Sequence, residues 1–276
     1  MPKPRRKGSD APPSGPQPGS EGGAAGNPHD SSTRREGMRL NRYIARAGVC
    51  SRRDADKLIE AGRVKVNGKV VTEFSTYVSD DDEVEANGSL ISPTRHMYIL
   101  VNKPTDTIAT KDDPSGRRTV MDLLRLPDEE KGSLFPVGRL DRDTTGVLLV
   151  TNDGILAHRL MHPSFEVDKL YLVRTSEAVK PHEIDLLKSG IELDDGVAAA
   201  DEAAYVALPD RHQVGLRLHE GRNRQIRRMF EVLGHDIEHL ERVNYGGLTT
   251  EGVRPGKWRR LVPFEVKRLK RLVNLN

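Results

Sequence analysis

Residues 135–154 read FPVGRLDRDTTGVLLVTNDG, a turn rich in Gly, Arg and Asp that runs without a break into an apolar segment. Val147, Leu148, Leu149 and Val150, closed by the turn former Asn152-Asp153-Gly154, predict a buried strand. Such a strand anchors the loop that feeds it, and that loop holds Asp141 between Arg139 and Arg142. Flanking guanidinium groups favour a charged carboxylate, which can serve as a nucleophile or base. A plain loop salt bridge is the other reading of the same residues.

The chain's 276 residues, 36% of them hydrophobic, leave room for two ordinary domains and a tail, each domain with its own core. No apolar stretch approaches the length of a membrane span, and the N-terminus is charged and rich in Pro and Gly where a signal peptide needs an apolar segment. A cytoplasmic protein with no membrane partner is expected, and a monomer. Cys50 is the only cysteine, which excludes an intrachain disulfide and a cysteine-based zinc cluster.

The formal net charge of +3 conceals blocks of opposite sign. Residues 38–69 hold nine Lys/Arg against Asp54, Asp56 and Glu60, residues 73–85 hold six carboxylates and no Lys/Arg, and residues 254–271 hold eight Lys/Arg against Glu265 alone. Two basic regions in a balanced chain point to a polyanion bound at defined surfaces, where Lys and Arg release counterions from phosphates.

Residues 1–37 are dominated by Pro, Gly, Ser and Ala and cannot offset their ordering entropy, so a disordered tail is expected. The first folded unit, residues 38–95, starts with Leu40, Tyr43, Ile44 and Ala47 at helical spacing up to Gly48. Ser51 with Asp54 three residues on opens a second helix whose apolar side is Leu58, Ile59 and Ala61 and which ends at Gly62. Asn67-Gly68 between RVKV and KVV predicts a tight β-hairpin, and EVEA from Glu83 a further strand. Arg42, Arg46, Arg52, Arg53 and Lys57 stud this helix pair, with Arg52 and Arg53 at the positive start of the second helix, a pattern suited to RNA phosphates.

A Ser/Pro segment at residues 91–95 reads as a linker to the second unit, residues 96–271, which opens on the strand MYILVNKP. Strands such as GVLLVT, LYLVRT and VGLRLHE alternate with helices such as ILAHRLMH and HEIDLLKSG, so the fold class is α+β with a mixed, largely antiparallel sheet. Lys103 and Pro104 follow the first strand. After VGLRLHE a helix is expected from near Arg222 or Asn223, with Gly221 permitting the turn. Ile226, Met229, Phe230 and Leu233 face inward on it, and Arg224 and Arg228 share another side. His158 and His162 lie four apart without a third metal ligand, so packing is expected and no metal. The chain has neither a P-loop pattern nor a convincing dinucleotide fingerprint.

GRLDRDTTGVLLVTNDG, EGRNRQIRRM at residues 220–229 and KLYLV at residues 169–173 together resemble the pseudouridine synthases of the RsuA and RluB branch, which isomerise uridine in ribosomal RNA. The segment LNRYIARAGVCSRRDADKLIEAGRVKVNGKVV looks like the small RNA-binding domain shared with the fourth small-subunit ribosomal protein, the S-four domain. The resemblance implies Asp141 as the catalytic carboxylate, Tyr171 stacked on the target base, and Arg227 in QIRR as the cation that pairs with Asp141. It implies RNA contacts from Arg139, Arg222 and Arg224 as well as from the basic helix pair, and no cofactor. QIR has arginine where the small-subunit RsuA type has lysine, which makes 23S rRNA or a large-subunit assembly intermediate the expected partner. The alternatives are a 16S rRNA enzyme and a noncatalytic RNA-binding assembly factor on the same fold. Whether the carboxylate attacks the anomeric carbon or removes the 2′ proton stays open.

Overall fold

A computed structural model describes residues 37–275; apart from Gly37, the tail expected to be disordered lies outside the described residues. β1 (Met38–Arg39) leads into α1 (Leu40–Arg46), and α2 (Arg52–Glu60) returns beside it. Leu40, Tyr43 and Ile44 from α1 meet Ala55 and Ile59 from α2 in a small core. Ser51 caps α2, accepting from the Asp54 N–H at 3.2 Å and donating to its carboxylate at 2.6 Å. Gly48 and Gly62, at φ +83° and +65°, let the chain leave the two helices. The inward side of α2 is narrower than its sequence suggests. The helix ends at Glu60, so Ala61 lies exposed at the C-cap, and Leu58 is only half-buried.

β2 (Val64–Val66) and β3 (Lys69–Val70) form the expected hairpin, with Asn67 and Gly68 both at positive φ. β4 (Tyr77–Val78) pairs with β1, and β5 (Val84–Ala86) with β2. A second Asn-Gly turn at Asn87-Gly88 adds β6 (Ser89–Ile91), so Ile91, the expected first linker residue, closes a strand.

The segment after β6 is pinned at both ends. Thr94 donates to the Arg46 carbonyl through its backbone N–H and its hydroxyl. Asn152 donates to Thr94 Oγ1 and to the Arg95 carbonyl and accepts from the Met97 N–H.

β7 (Tyr98–Lys103) begins the main sheet. α3 (Asp128–Ser133) and β8 (Phe135–Pro136) precede β9 (Thr144–Thr151), the apolar strand of the FPVGRLDRD motif; α4 (Gly154–Met161), β10 (Lys169–Thr175) and α5 (Pro181–Ser189) follow. The hairpin β11 (Ile191–Leu193) and β12 (Gly196–Ala198) comes next, then β13 (Glu202–Tyr205), β14 (Gln213–Leu218) and α6 (Gln225–Val232). β15 (Ile237–Tyr245), β16 (Leu248–Thr249), β17 (Trp258–Arg260) and α7 (Pro263–Leu272) complete the chain. The sheet runs β13-β14-β10-β15-β9-β7-β17, with β8 on β9 and β16 on β15. Every pairing in it is antiparallel except β15 with β9. Among the described residues no helix is long and apolar enough to cross a membrane.

β9 divides its side chains between two cores. Val147 and Leu149 pack with residues of α4 and α7, while Leu148 and Val150 face Val120, Met121 and Leu124 on the other side. At roughly 1.5–3 kcal/mol per buried aliphatic side chain, these four residues hold the loop before β9 far more firmly than a surface ion pair worth at most about 1 kcal/mol.

Register then fixes what lies beside that loop. Tyr171 of β10 is opposite Arg242 of β15, and Arg242 is opposite Gly146 of β9. Gly146 sits at φ +104°, and a Cβ there would lie 2.2 Å from the Arg242 carbonyl oxygen, so glycine is required twice over. Gly221, expected to permit the turn before α6, is not at positive φ and has no atom within 4 Å of a built Cβ. Gly146→Ala is therefore expected to destabilise the protein by about 3 kcal/mol or more, since it combines a forbidden conformation with a backbone clash. Gly221→Ala is expected to change stability by no more than about 0.5 kcal/mol. Urea unfolding of the two variants checks this; equal losses would contradict it.

Candidate active site

Asp141 lies in the loop entering β9, with its carbonyl accepting from the Thr144 N–H at 3.0 Å. Its side chain is 32% exposed and faces two guanidinium groups: Arg227 Nε is 3.8 Å and Arg224 Nη1 3.9 Å from Oδ2. Both distances exceed hydrogen-bond reach, so the cations balance the carboxylate's charge while leaving its lone pairs free. Arg227 Nε is buried and has no hydrogen-bond partner, an arrangement that can tighten when a substrate closes the site. Tyr171 lines the same cleft, of about 90 Å³, together with Arg139, Thr144, Leu218 and Glu220. Asp141, Tyr171 and Arg227, far apart in the chain, thus converge on one cavity.

The sequence neighbours of Asp141 have other positions than expected. Arg142 turns away and donates from Nε to Asp106 Oδ1 at 2.6 Å, tying the Asp141 loop to the loop after β7. Arg139 is exposed at the cleft rim. The cations facing Asp141 come instead from the start of α6.

That start is built by a local device. α6 begins at Gln225, later than the expected Arg222 or Asn223, because Arg224 as N-cap adopts a left-handed conformation, φ +47° and ψ +31°. A non-glycine residue there stores about 1–2 kcal/mol of strain, which the surrounding bonds must offset. Buried Gln225 supplies them: its carbonyl accepts from the Arg222 N–H at 3.0 Å and its amide donates to Glu220 at 2.6 Å. Ile226, Met229 and Phe230 fill the core beneath, with Leu233 packed at its edge. With Arg224 as N-cap, Gln225 is the first helical residue and not the third that a capping box uses, so no capping pattern in the sequence marked it.

Arg222, expected at RNA, lines the same cleft as Asp141 and is also clamped to a neighbouring turn. Its guanidinium donates to the Asp195, Gly196 and Val197 carbonyls at the β11–β12 turn, at 3.3, 3.0 and 2.8 Å. Arg228 grips Asp194 and Asp195 in the same turn. Neither reaches Asp141.

Lys103 is completely buried under the Asp141 loop, where its ammonium donates to the carbonyls of Pro104, Arg142 and Thr144 at 3.1, 3.1 and 2.7 Å. Burial pushes its amine down to about 8, against the pull of Asp143 and Asp141. Arg242 is equally hidden, donating from Nε to the Val147 carbonyl at 2.9 Å and lying over the Tyr245 ring. Two buried cations therefore staple the strands around Gly146 through backbone carbonyls.

The basic helix pair divides. Arg42 and Arg46 of α1 and Arg52 of α2 line a groove shared with α4. Lys57 pairs with Asp54 at 2.8 Å, and Arg53 is exposed outside the groove. His162 caps the turn after α4, accepting from the Ser164 N–H at 3.2 Å.

Comparison with known proteins gives concordant matches. The family model described as RNA pseudouridylate synthase matches residues 97–232, and that of the S4 domain matches residues 38–84. The ribosomal large subunit pseudouridine synthase B of Bacillus subtilis (strain 168) is 43% identical over 241 residues, covering 86% of this chain and 97% of that protein. The ribosomal large subunit pseudouridine synthase B of Vibrio cholerae serotype O1 is 38% identical over 244 residues, covering 86% and 75%. A crystal structure described as a pseudouridylate synthase superposes with a TM-score of 0.60 at 32% identity, over 84% of this chain and 99% of that one.

Lys103 offers a test with a definite sign. Between pH 8 and 10.5 the unfolded chain keeps a lysine proton that folded Lys103 has lost, so this residue makes stability rise with pH in that window. Lys103→Met is expected to cost about 2–3 kcal/mol at pH 7, because three loop carbonyls lose their donor, and to flatten the slope between pH 8 and 10. Denaturant titrations across that range measure both; an unchanged slope would contradict the assignment.

Proposed function

The chain belongs to the RNA pseudouridylate synthase family, and we propose that it converts a specific uridine of ribosomal RNA, in 23S rRNA, to pseudouridine with Asp141 as the catalytic carboxylate. The observation that carries this reading is the placement of Asp141 at the mouth of a cleft, 3.8 Å from Arg227 Nε and sharing its walls with Tyr171. The large-subunit names of the Bacillus and Vibrio relatives favour 23S over 16S rRNA.

The reaction breaks the bond between ribose and uracil N1, turns the detached base, and rejoins it through C5. The C5 proton leaves to solvent as N1 gains one, so composition and overall oxidation state are unchanged and the reaction itself calls for no cofactor. Attack on the anomeric carbon and removal of the 2′ proton both start from one charged carboxylate beside the ribose. Arg227 and Arg224 hold Asp141 in that form without occupying its lone pairs. Tyr171 offers its ring as a platform for the extruded uracil, whose unstacking costs a few kcal/mol. Backbone contacts elsewhere, from the S-four-like residues 38–95, offset that cost.

Asp141→Asn is expected to lower pseudouridine formation on the order of 10³-fold or more while RNA affinity stays within a few-fold. Arg227→Ala is expected to lower turnover about 10²-fold, since it removes charge stabilisation and leaves RNA binding elsewhere intact. Tritium release from 5-tritiated uridine in transcribed 23S rRNA measures both, and retained turnover in Asp141→Asn would overturn the assignment.

A further inference from the structure

A groove of about 770 Å³, distinct from the Asp141 cleft, lies between α1 and α4. Its floor is apolar, with Phe135, Ile155 and Met161 on one side and Cys50 and Tyr77 on the other. Around it stand Arg39, Arg42, Arg46, Arg52, Lys111 and Arg159, and no Asp or Glu is among the lining residues. Three of these cations lean on neutral partners: Arg39 on the Tyr77 hydroxyl, Lys111 on the Gly132 carbonyl, Arg159 on the Val273 and Asn274 carbonyls.

Nearby carboxylates are otherwise engaged. Asp153 caps α4 and accepts from Tyr98, Asp54 holds Ser51 and Lys57, and Asp56 accepts from Asn41. Arg46 Nε is shielded from water with no hydrogen-bond partner. Burial and the neighbouring Arg52 hold Arg42 below its ordinary value. A set of guanidinium groups that repel one another across an apolar floor costs free energy unless an anion with a hydrophobic part occupies it.

The walls are fixed relative to each other. Thr94 joins Arg46 to Ser133 by hydrogen bonds, and Gly132 packs so closely on Gly48 that an added Cβ would lie 2.8 Å from the Gly48 carbonyl oxygen.

We propose that this groove, built jointly by α1, the start of α2 and α4, takes a single-stranded RNA segment with an unstacked base, holding its phosphates on the arginine rim and the base on the apolar floor. Sequence-selective RNA recognition uses splayed bases set against apolar or aromatic faces and guanidinium planes, which is the chemistry present here. The inference rests on the ribosomal RNA reading above and goes beyond it: the synthase half, through α4, becomes part of the RNA grip.

The test places charge on the α4 wall, outside the basic helix pair. Ile155 is 45% and Met161 47% exposed, so Ile155→Glu and Met161→Glu are tolerable for folding and put a carboxylate in the groove. Each is expected to weaken binding of transcribed 23S rRNA by the full-length protein about tenfold in filter binding at low salt, and to raise KM more than it lowers kcat. Ile155→Lys, equally polar but cationic, is expected to bind at least as tightly as wild type. Wild-type affinity in both glutamate variants would overturn the proposal; so would equal weakening by Ile155→Lys, which would mean steric damage. A groove occupied by the chain's own N-terminal segment or by a protein partner would give the first of these results. Loss of binding in the glutamate variants with no pseudouridine formed by wild type would sink the catalytic reading and spare the groove.

Discussion

The contact on which the site depends is the parallel pairing of β15 with β9 at Gly146. There the backbones of two strands approach so closely that no side chain fits, and the row Tyr171, Arg242, Gly146 crosses three strands. The loop carrying Asp141 leaves this junction on one side, and α6 delivers Arg227 and Arg224 from the other. Burial of β9 on both faces fixes the junction; the ion pairs at the cleft only tune what it presents.

Around that junction the chain uses cations in three ways. Lys103 and Arg242 are buried, and the Lys103 ammonium and the Arg242 Nε donate to backbone carbonyls, giving rigidity at the expense of solvation. Arg222 and Arg228 brace the β11–β12 turn against the start of α6. Arg227 and Arg224 lack direct hydrogen bonds to Asp141, and Arg42, Arg46 and Arg52 face a groove without a carboxylate among its lining residues. Arginines left incompletely paired in a structure with so many carboxylates available mark the surfaces where an anionic ligand completes the electrostatics.

Much of this was legible in the residues. The run from Val147 to Val150, the Asn67-Gly68 turn and the Ser51 cap are local signals with few alternatives, and each appears as expected. The two helices and hairpin of residues 38–70 follow from them. What escaped the sequence is non-local. Arg142 is adjacent to Asp141 in the chain but bonds Asp106, because the pairing of β7 with β9 brings their loops together. Arg222 looks like its neighbour Arg224, yet only the fold of β11 and β12 decides that it is a clamp. α6 starts later than its sequence suggests because the strained residue there is an arginine where a glycine is the usual signal. Gly146 looked like one more residue of an apolar strand, since its closeness to Arg242 depends on a parallel pairing that local pattern does not encode.

The proposed function turns on one carboxylate, Asp141, set by a strand junction beside Arg227 and lining a cleft with Tyr171. The most direct measurement is a nucleotide-resolution map of pseudouridine in 16S and 23S rRNA from cells with and without this protein. Loss of modification at a defined uridine of 23S rRNA, restored by the wild-type chain, is the expected result; identical maps from the two strains would contradict the account.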